Sequence, residues 1–172
     1  MSVIIRSIQP DDIPAFASIY NHYVRTSTFT LEEEELSFPR YEERVQSVLN
    51  GGYPFLVACG DGRMHSDSGK TVLGFAYLSE FNPRSGYRRT ADLSVYVAAD
   101  ARGCGIGSRM LAGIEQAGRE CGITQLISII TGENSASLAF HKRHGFAQVG
   151  TLTDVAVKFG RILNVVYCQK AI

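Results

Sequence analysis

The sequence predicts an α/β domain built on one mixed β-sheet, and three local patterns support this prediction. Apolar and polar residues alternate over Leu93–Val97, as they do in a half-buried strand. Gln125–Ile130 is an almost continuous apolar run, which is typical of a strand buried on both faces. Between these two runs, apolar residues recur at the three- and four-residue spacing of a helix, at Met110, Leu111, Ile114, Ala117 and Cys121.

The first half of the chain is predicted to form a strand at Ile4–Ile8, two helices and two further strands. After the capping residues Pro10-Asp11-Asp12, one helical face carries Ile13, Phe16, Ala17, Tyr20, Tyr23 and Val24. We expect the acidic run Glu32–Glu35 to be a solvated surface. The remaining elements are a short helix at Tyr41–Leu49 closed by Asn50-Gly51-Gly52, strands at Phe55–Cys59 and Val72–Leu78, and an exposed hairpin loop over residues 60–69.

The second half begins with a loop over residues 79–89 that contains Pro83 and Gly86. Its predicted elements are a strand at Thr90–Val97, a helix at Ser108–Glu120 ending at Gly122, a strand at Gln125–Ile130, a helix at Asn134–Arg143, and strands at Gln148–Val155 and Leu163–Gln169. The order is therefore β-α-α-β-β-β-α-β-α-β-β. We interpret residues 1–172 as a single domain, because this length suits one core and no internal repeat interrupts it.

Composition narrows the possible functions. The chain has 17 Lys plus Arg and 17 Asp plus Glu, so we expect neither a nucleic-acid nor a membrane partner, which basic excess would favour. No apolar run reaches the ~18 residues of a membrane helix, and Met1–Arg6 has the pattern of a strand rather than a signal peptide, which favours a cytoplasmic protein. The cysteines lack zinc-site spacing, and we expect Cys59, Cys121 and Cys168 to be small buried side chains.

A glycine-rich segment, Arg102-Gly103-Cys104-Gly105-Ile106-Gly107, joins the strand at Thr90–Val97 to the next helix. Glycines there let backbone N–H groups converge, and the helix start adds unpaired donors, so the segment predicts an anion site. It is not a P-loop, because Ser108-Arg109 replaces the required Lys and Ser or Thr, and it is one residue too short for a dinucleotide fingerprint. Two interpretations remain. The segment is a plain glycine-rich turn, or it resembles the R-x-x-G-x-G loop that binds the coenzyme A pyrophosphate in the GNAT superfamily of N-acetyltransferases.

Other segments resemble the phosphinothricin N-acetyltransferase group of that superfamily, in the expected order from about Arg6 to Gln169. They are Ile19-Tyr20-Asn21-His22-Tyr23-Val24 with Thr26-Ser27-Thr28, Gly52–Ala58, Thr90–Val97, Gly132–Ser137 with His141 and Gly145-Phe146, and Lys158-Phe159-Gly160-Arg161. The resemblance implies the GNAT fold, with a mostly antiparallel mixed sheet flanked by about four helices. It also implies acetyl-CoA as co-substrate without a metal, a small-molecule amine acceptor, and a homodimer with substrate sites near the interface.

The same resemblance implies roles for individual residues. Asp92 stands where the group usually has a glutamate proposed as general base. His141 stands where many relatives outside the group carry a tyrosine that protonates the leaving thiolate, and where the group itself often has histidine. The implied oxyanion donor is the amide of Tyr96 or Val97. His141 and His144 are three residues apart, but without a third ligand they predict no metal site. The implied coenzyme-binding residues are Ser94, Val95, Tyr96, Val97, Arg102, Gly103, Cys104, Gly105, Ile106, Gly107, Ser108, Asn134, Ser137 and His141.

The acceptor side departs from the group's pattern. Relatives usually carry an arginine at the position of Asn82, for which Arg84 is a possible substitute, and the group normally continues Trp-x-Asp where this chain has Ile162, Leu163 and Asn164. The implied acceptor-binding residues are Asn21, Phe81, Asn82, Arg84, Tyr87 and Lys158. The acceptors implied are phosphinothricin, methionine sulfone and methionine sulfoximine. Alternatives are another amine, such as a polyamine, an antibiotic or a protein N-terminus, and a non-catalytic acyl-CoA sensor.

Overall fold

The structure is a computed structural model that describes residues 2–61 and 70–172. The predicted order of strands and helices is confirmed. The elements are β1 (Val3–Ser7), α1 (Ile13–Thr26), α2 (Phe38–Asn50), β2 (Phe55–Asp61), β3 (Lys70–Glu80), β4 (Thr90–Val97), α3 (Ile106–Glu120), β5 (Gln125–Thr131), α4 (Ser135–Arg143), β6 (Ala147–Lys158) and β7 (Arg161–Ala171). Short 3₁₀ turns lie at residues 10–12, 85–87 and 99–101.

The strands form one sheet in the order β1-β2-β3-β4-β5-β7-β6. Neighbouring strands are antiparallel except for β4 and β5, which pair in parallel. A parallel pair needs a crossover connection, and α3 supplies it. The predicted mixed, mostly antiparallel sheet is therefore confirmed.

Helices cover the sheet on both faces. On one face, α1 and α2 pack through an aromatic cluster in which the Phe16 ring lies 4.5 Å from that of Phe75 and 5.0 Å from that of Tyr41. On the other face, α3 buries Met110, Leu111 and Ile114 against the strands. Each such side chain contributes about 1.5–3 kcal/mol of burial free energy, so the two clusters hold the helices to the sheet.

Several predicted details are wrong in informative ways. Helix α3 begins at Ile106, two residues before the predicted start, because Gly105 turns the chain with a φ of +76°. Cys121 is exposed rather than buried, since it ends α3. In the acidic run, Glu32 is half-buried and accepts hydrogen bonds from the Tyr20 hydroxyl and the Arg44 guanidinium. Of the predicted loop over residues 60–69, residues 62–69 lie outside the described part.

Candidate active site

Strands β4 and β5 separate part of the way along the sheet. Their parallel pairing has its last rung at Asp92 and Ile127. Beyond it, β4 continues along β3 as far as Val97, while β5 continues along β7 as far as Thr131. The two strands therefore diverge like a wedge, with Asp92 at its vertex.

A cleft of about 270 Å³ lies between the diverging strands. Its walls come from the diverging strands, the glycine loop, α4 and the end of α1. The lining residues are Tyr23, Phe29, Leu93, Ser94, Val95, Tyr96, Val97, Arg102, Gly107, Ser128, Ile129, Ile130, Asn134, Ala136, Ser137, Phe140 and His141. The structure thus brings together in one cavity the predicted coenzyme-binding residues of β4 and α4 and, from the glycine loop, Arg102 and Gly107. The other predicted loop residues are not among those that line it, namely Gly103, Cys104, Gly105, Ile106 and Ser108.

The register of β4 determines which of its amides face the cleft. Ala98 donates its N–H to the Leu73 carbonyl at 2.8 Å, and the pairing of Val97 with Gly74 is the adjacent rung. Antiparallel residues alternate between bonding to the partner strand and pointing away from it. The N–H and C=O groups of Val97 therefore point to the opposite edge of β4, which opens onto the wedge. Tyr96, in contrast, directs its amide toward β3.

The glycine loop has the backbone geometry of an anion cradle. Gly103 and Gly105 both have a φ of +76°, a conformation that other residues rarely adopt. The first intrahelical bond of α3 runs from the Arg109 amide to the Gly105 carbonyl at 3.2 Å. The amides of residues 106–108 precede that bond, so they are available at the positive end of the helix dipole.

The Arg102 side chain lies across the cleft wall that α1 contributes. Its Nε donates to the Tyr23 hydroxyl at 3.0 Å, and its guanidinium carbon lies 4.9 Å from the centre of the Tyr23 ring and 5.8 Å from that of Phe29. The Tyr23 hydroxyl in turn donates to the Val97 carbonyl at 2.5 Å. A cation is therefore held at the mouth of the cleft by two aromatic faces and one hydroxyl.

Helix α4 supplies an ordered polar wall. The Asn134 side chain caps the helix by accepting from the Ser137 amide at 3.1 Å. His141 Nδ1 lies 2.8 Å from the Ser137 carbonyl, and because a carbonyl only accepts, Nδ1 carries the proton. Burial lowers the pKa of His141, so its Nε2 is an acceptor at neutral pH. This protonation state does not suit the predicted role of proton donor to the thiolate.

Asp92 lies at the wedge vertex, although its side chain is not among those that line the cleft. Ser79 is its cross-strand neighbour on β3, and alternation places it on the α1–α2 face with Ser94 and Tyr96. Burial raises the pKa of Asp92 to about 6. Its Oδ1 is buried, and no hydrogen-bond partner for it occurs among the described residues. A carboxylate with this pKa can take up a proton near neutral pH.

None of the predicted acceptor-binding side chains lines the cleft in the described part of the chain. Asn21 accepts from the Tyr41 hydroxyl within the α1–α2 layer. Asn82 accepts from the Arg84 amide in an exposed turn, and the Phe81 and Tyr87 rings contact each other at 5.5 Å.

Lys158, also predicted to bind the acceptor, is completely buried. Its Nζ donates to the Thr30 carbonyl at 3.0 Å and to the Thr30 hydroxyl at 3.2 Å. Burial lowers the pKa of this lysine. It joins the β6–β7 hairpin to the segment after α1, which contributes Phe29 to the cleft.

Sequence reasoning missed part of the cleft wall. The helical pattern places Tyr23 on the buried face of α1 and gives it no role at the cleft. Phe29 lies just after that helix, outside its pattern. Ser128, Ile129 and the side chain of Phe140 gave no signal of their own, because each belongs to an apolar or helical pattern that predicts core packing.

Comparison with known proteins assigns the chain to a family. The family model described as "Acetyltransferase (GNAT) family" matches residues 16–146, and the chain belongs to that family. The chain is therefore an acetyltransferase related to the phosphinothricin and methionine sulfoximine/sulfone acetyltransferases. It is 38% identical over 167 residues to phosphinothricin N-acetyltransferase of Alcaligenes faecalis, covering 96% of this chain and 81% of the relative.

Two further relatives agree with this assignment. L-methionine sulfoximine/L-methionine sulfone acetyltransferase of Pseudomonas aeruginosa is 33% identical, over 98% of this chain and 94% of that protein. A solved phosphinothricin acetyltransferase from Sinorhizobium meliloti, in complex with acetyl-CoA, superimposes with a TM-score of 0.89 at 30% identity, covering 100% of this chain and 89% of that chain.

Within residues 2–61 and 70–172, no helix combines the length and the hydropathy that a bilayer span requires. No group of three or more His, Cys, Asp or Glu side chains with the geometry of a metal site occurs there either.

Proposed function

We propose that this acetyltransferase transfers the acetyl group of acetyl-CoA to the α-amino group of a small amino-acid-like acceptor, of the phosphinothricin, methionine sulfone or methionine sulfoximine type. The observation that carries the proposal is the half-buried Asp92 carboxylate, with a pKa of about 6, at the vertex of the wedge. The names of the relatives support the acceptor class.

The residues of the cleft fit the donor. The amides of residues 106–108 and the Arg102 guanidinium would hold the pyrophosphate, and the capped start of α4 at Asn134 would face the pantetheine arm. The Val97 N–H, on the open edge of β4, is suited to bind the thioester carbonyl oxygen. His141 Nε2 would accept a hydrogen bond from an N–H or O–H group of the pantetheine arm.

The proposed step is direct transfer within a ternary complex. The acceptor nitrogen forms a bond to the thioester carbonyl carbon, the carbon–sulfur bond breaks, and coenzyme A leaves as its thiolate. The proton lost from the amine goes to the Asp92 carboxylate, directly or through one water. No acid is required for departure, because the pKa of a thiol is near 8.5.

A thiol-release assay tests this proposal. Purified protein and acetyl-CoA are mixed in parallel with methionine sulfone, methionine sulfoximine, phosphinothricin, spermidine and a short peptide. Release that depends on any of the first three, and that falls at least about 100-fold in Asp92→Asn with acetyl-CoA binding retained, supports it. Release with only spermidine or the peptide would refute the acceptor class. Binding of acetyl-CoA without release would favour a sensor.

We also propose that the protein acts as a homodimer. The support is the edge strand β6, its turn and the start of β7, where Val149, Val155, Val157, Phe159 and Ile162 are each at least half exposed. Several exposed apolar side chains on one hairpin are typical of an association surface. Ile162, at 67% exposure, is a suitable probe. Ile162→Glu should yield monomers by sedimentation velocity, whereas a monomeric wild-type protein would refute the proposal.

A further inference from the structure

We infer that the Tyr23 hydroxyl is a positioning group for the acetyl donor, which fixes the anion-binding arginine and the open end of β4 at the same time. This inference rests on the proposed use of acetyl-CoA. It concerns a side chain on α1, outside the glycine loop, the strand and the helix that would touch the donor.

The hydrogen-bond roles at this hydroxyl are unambiguous. Its single proton is directed to the Val97 carbonyl at 2.5 Å, since a carbonyl can only accept. Its lone pair receives the Nε–H of Arg102 at 3.0 Å, since a guanidinium can only donate. Tyr23 is itself only 3% exposed, so the hydroxyl is held in place by helix packing. The Tyr23 hydroxyl is therefore bonded at once to the glycine loop, through Arg102, and to the end of β4, through Val97.

The contact determines how Arg102 presents its charge. The guanidinium lies over the Tyr23 ring and beside Phe29, with its Nε committed to the hydroxyl. The four remaining N–H groups, on the two terminal nitrogens, can then donate to phosphate oxygens from a fixed fork. Without this contact, an arginine on an exposed loop would lose more side-chain entropy when it binds an anion.

The second bond acts on the other end of the donor site. The Val97 C=O and N–H lie on the same open edge of β4, beyond the point where β5 could hold them. The Tyr23 bond to the carbonyl supplies the partner that a neighbouring strand would otherwise provide. It therefore fixes the strand end whose N–H is suited to the thioester carbonyl. The same oxygen aligns the diphosphate end and the thioester end of one ligand.

The test compares acetyl-CoA with S-acetylpantetheine, a thioester that lacks the diphosphate, in calorimetric titrations. In Tyr23→Phe, we expect the Kd for acetyl-CoA to rise about tenfold, as for the loss of a charged hydrogen bond, and the Kd for S-acetylpantetheine to change less than about threefold. In an Arg102→Ala background, the same substitution should leave the ratio of the two Kd values unchanged. Activity with the identified acceptor should also show a lower kcat with both donors.

Tyr20→Phe is the matched control. Tyr20 is another buried tyrosine of α1, but its hydroxyl donates to Glu32 instead of the Val97 end of β4. Its removal should leave the donor ratio unchanged. Arg102→Lys, on the exposed loop, tests the same contact without altering the core, and should reproduce the tenfold loss because lysine has no Nε–H fork.

The outcomes separate the two claims. If wild-type protein does not bind acetyl-CoA, the proposed donor is refuted and this inference falls with it. If wild-type protein binds and Tyr23→Phe binds equally well, the proposed function stands and the positioning role is refuted. Equal weakening of both donors would also refute it, because a merely structural tyrosine would act on both alike.

Discussion

Replacing Asp92 by asparagine should make the protein more stable at neutral pH. Burial raises the pKa of this carboxyl from 3.8 to about 6, so the folded state binds its proton more tightly than the unfolded state does. At 1.36 kcal/mol per pKa unit, ionisation of Asp92 costs the fold at most about 3 kcal/mol. The side chain is partly accessible, and solvent screening reduces the expected cost to about 1–2 kcal/mol.

The sign of the pH dependence follows from the raised pKa. Below about pH 3.8 the carboxyl is neutral in both states, and its cost is absent. Between this value and about pH 6 the cost grows, and above pH 6 it is constant. The gain of Asp92→Asn over the wild-type protein should therefore increase with pH and level off above neutrality.

Urea unfolding of both proteins between pH 4.5 and 8 measures this gain directly. The control is Glu80→Gln, which removes an exposed carboxylate close by on β3 and should show no comparable gain. An asparagine variant that is less stable than wild type at pH 8, or a difference independent of pH, would refute the argument. Either result would mean that the carboxylate is stabilised by contacts instead of destabilised by burial.

Four other substitutions, one of them a control, test separate parts of the structure. Gly74→Ala should destabilise the fold by about 1–3 kcal/mol, because its Cβ would lie 2.6 Å from the Tyr96 carbonyl oxygen. Gly113→Ala, with neighbours at 3.4 Å, should be neutral or mildly stabilising in the same titration; equal effects would contradict the steric argument. Lys158→Ala should lower stability by about 2–4 kcal/mol, and an unchanged Tm would rule out its role in joining the hairpin to α1. His141→Ala should lower kcat less than about tenfold. Its pH–rate profile should keep the fall in rate below about pH 6 that protonation of Asp92 causes. If the variant loses this fall in rate, the titrating group is the histidine.

Much of this fold could be predicted from local patterns. The strands and helices follow from periods of two and of three to four residues, and the glycine loop follows from its spacing. The errors lie at the ends of the elements, where a single backbone angle decides at which residue a helix begins. The φ of Gly105 does so for α3. The prediction of a solvated Glu32 is wrong for a different reason. Its neighbours in the acidic run are exposed, and only tertiary contacts with Tyr20 and Arg44 bury it.

The candidate site shows the same division. The sequence identified Arg102 and the amides of the loop, because glycine spacing is a local property. It could not show the link through Tyr23, since 79 residues separate that side chain from Arg102. It also left open whether Tyr96 or Val97 turns its amide outward, which depends on strand register. The resemblance places Lys158 in the acceptor site, yet its ammonium donates to the Thr30 carbonyl.

The polar atoms around the wedge vertex indicate why a carboxylate that lowers the stability of the fold lies there. Among the described residues, buried side-chain oxygens without a hydrogen-bond partner occur at Asp92, Ser128 and Thr131. Asp92 belongs to the last rung between β4 and β5, where regular pairing ends, and Ser128 follows the other residue of that rung, Ile127. Natural sequences avoid such groups elsewhere, because each costs about 1–3 kcal/mol. An acceptor amine that donates to Asp92 Oδ1 would remove part of that cost, so acceptor binding should stabilise the wild-type fold more than it stabilises Asp92→Asn.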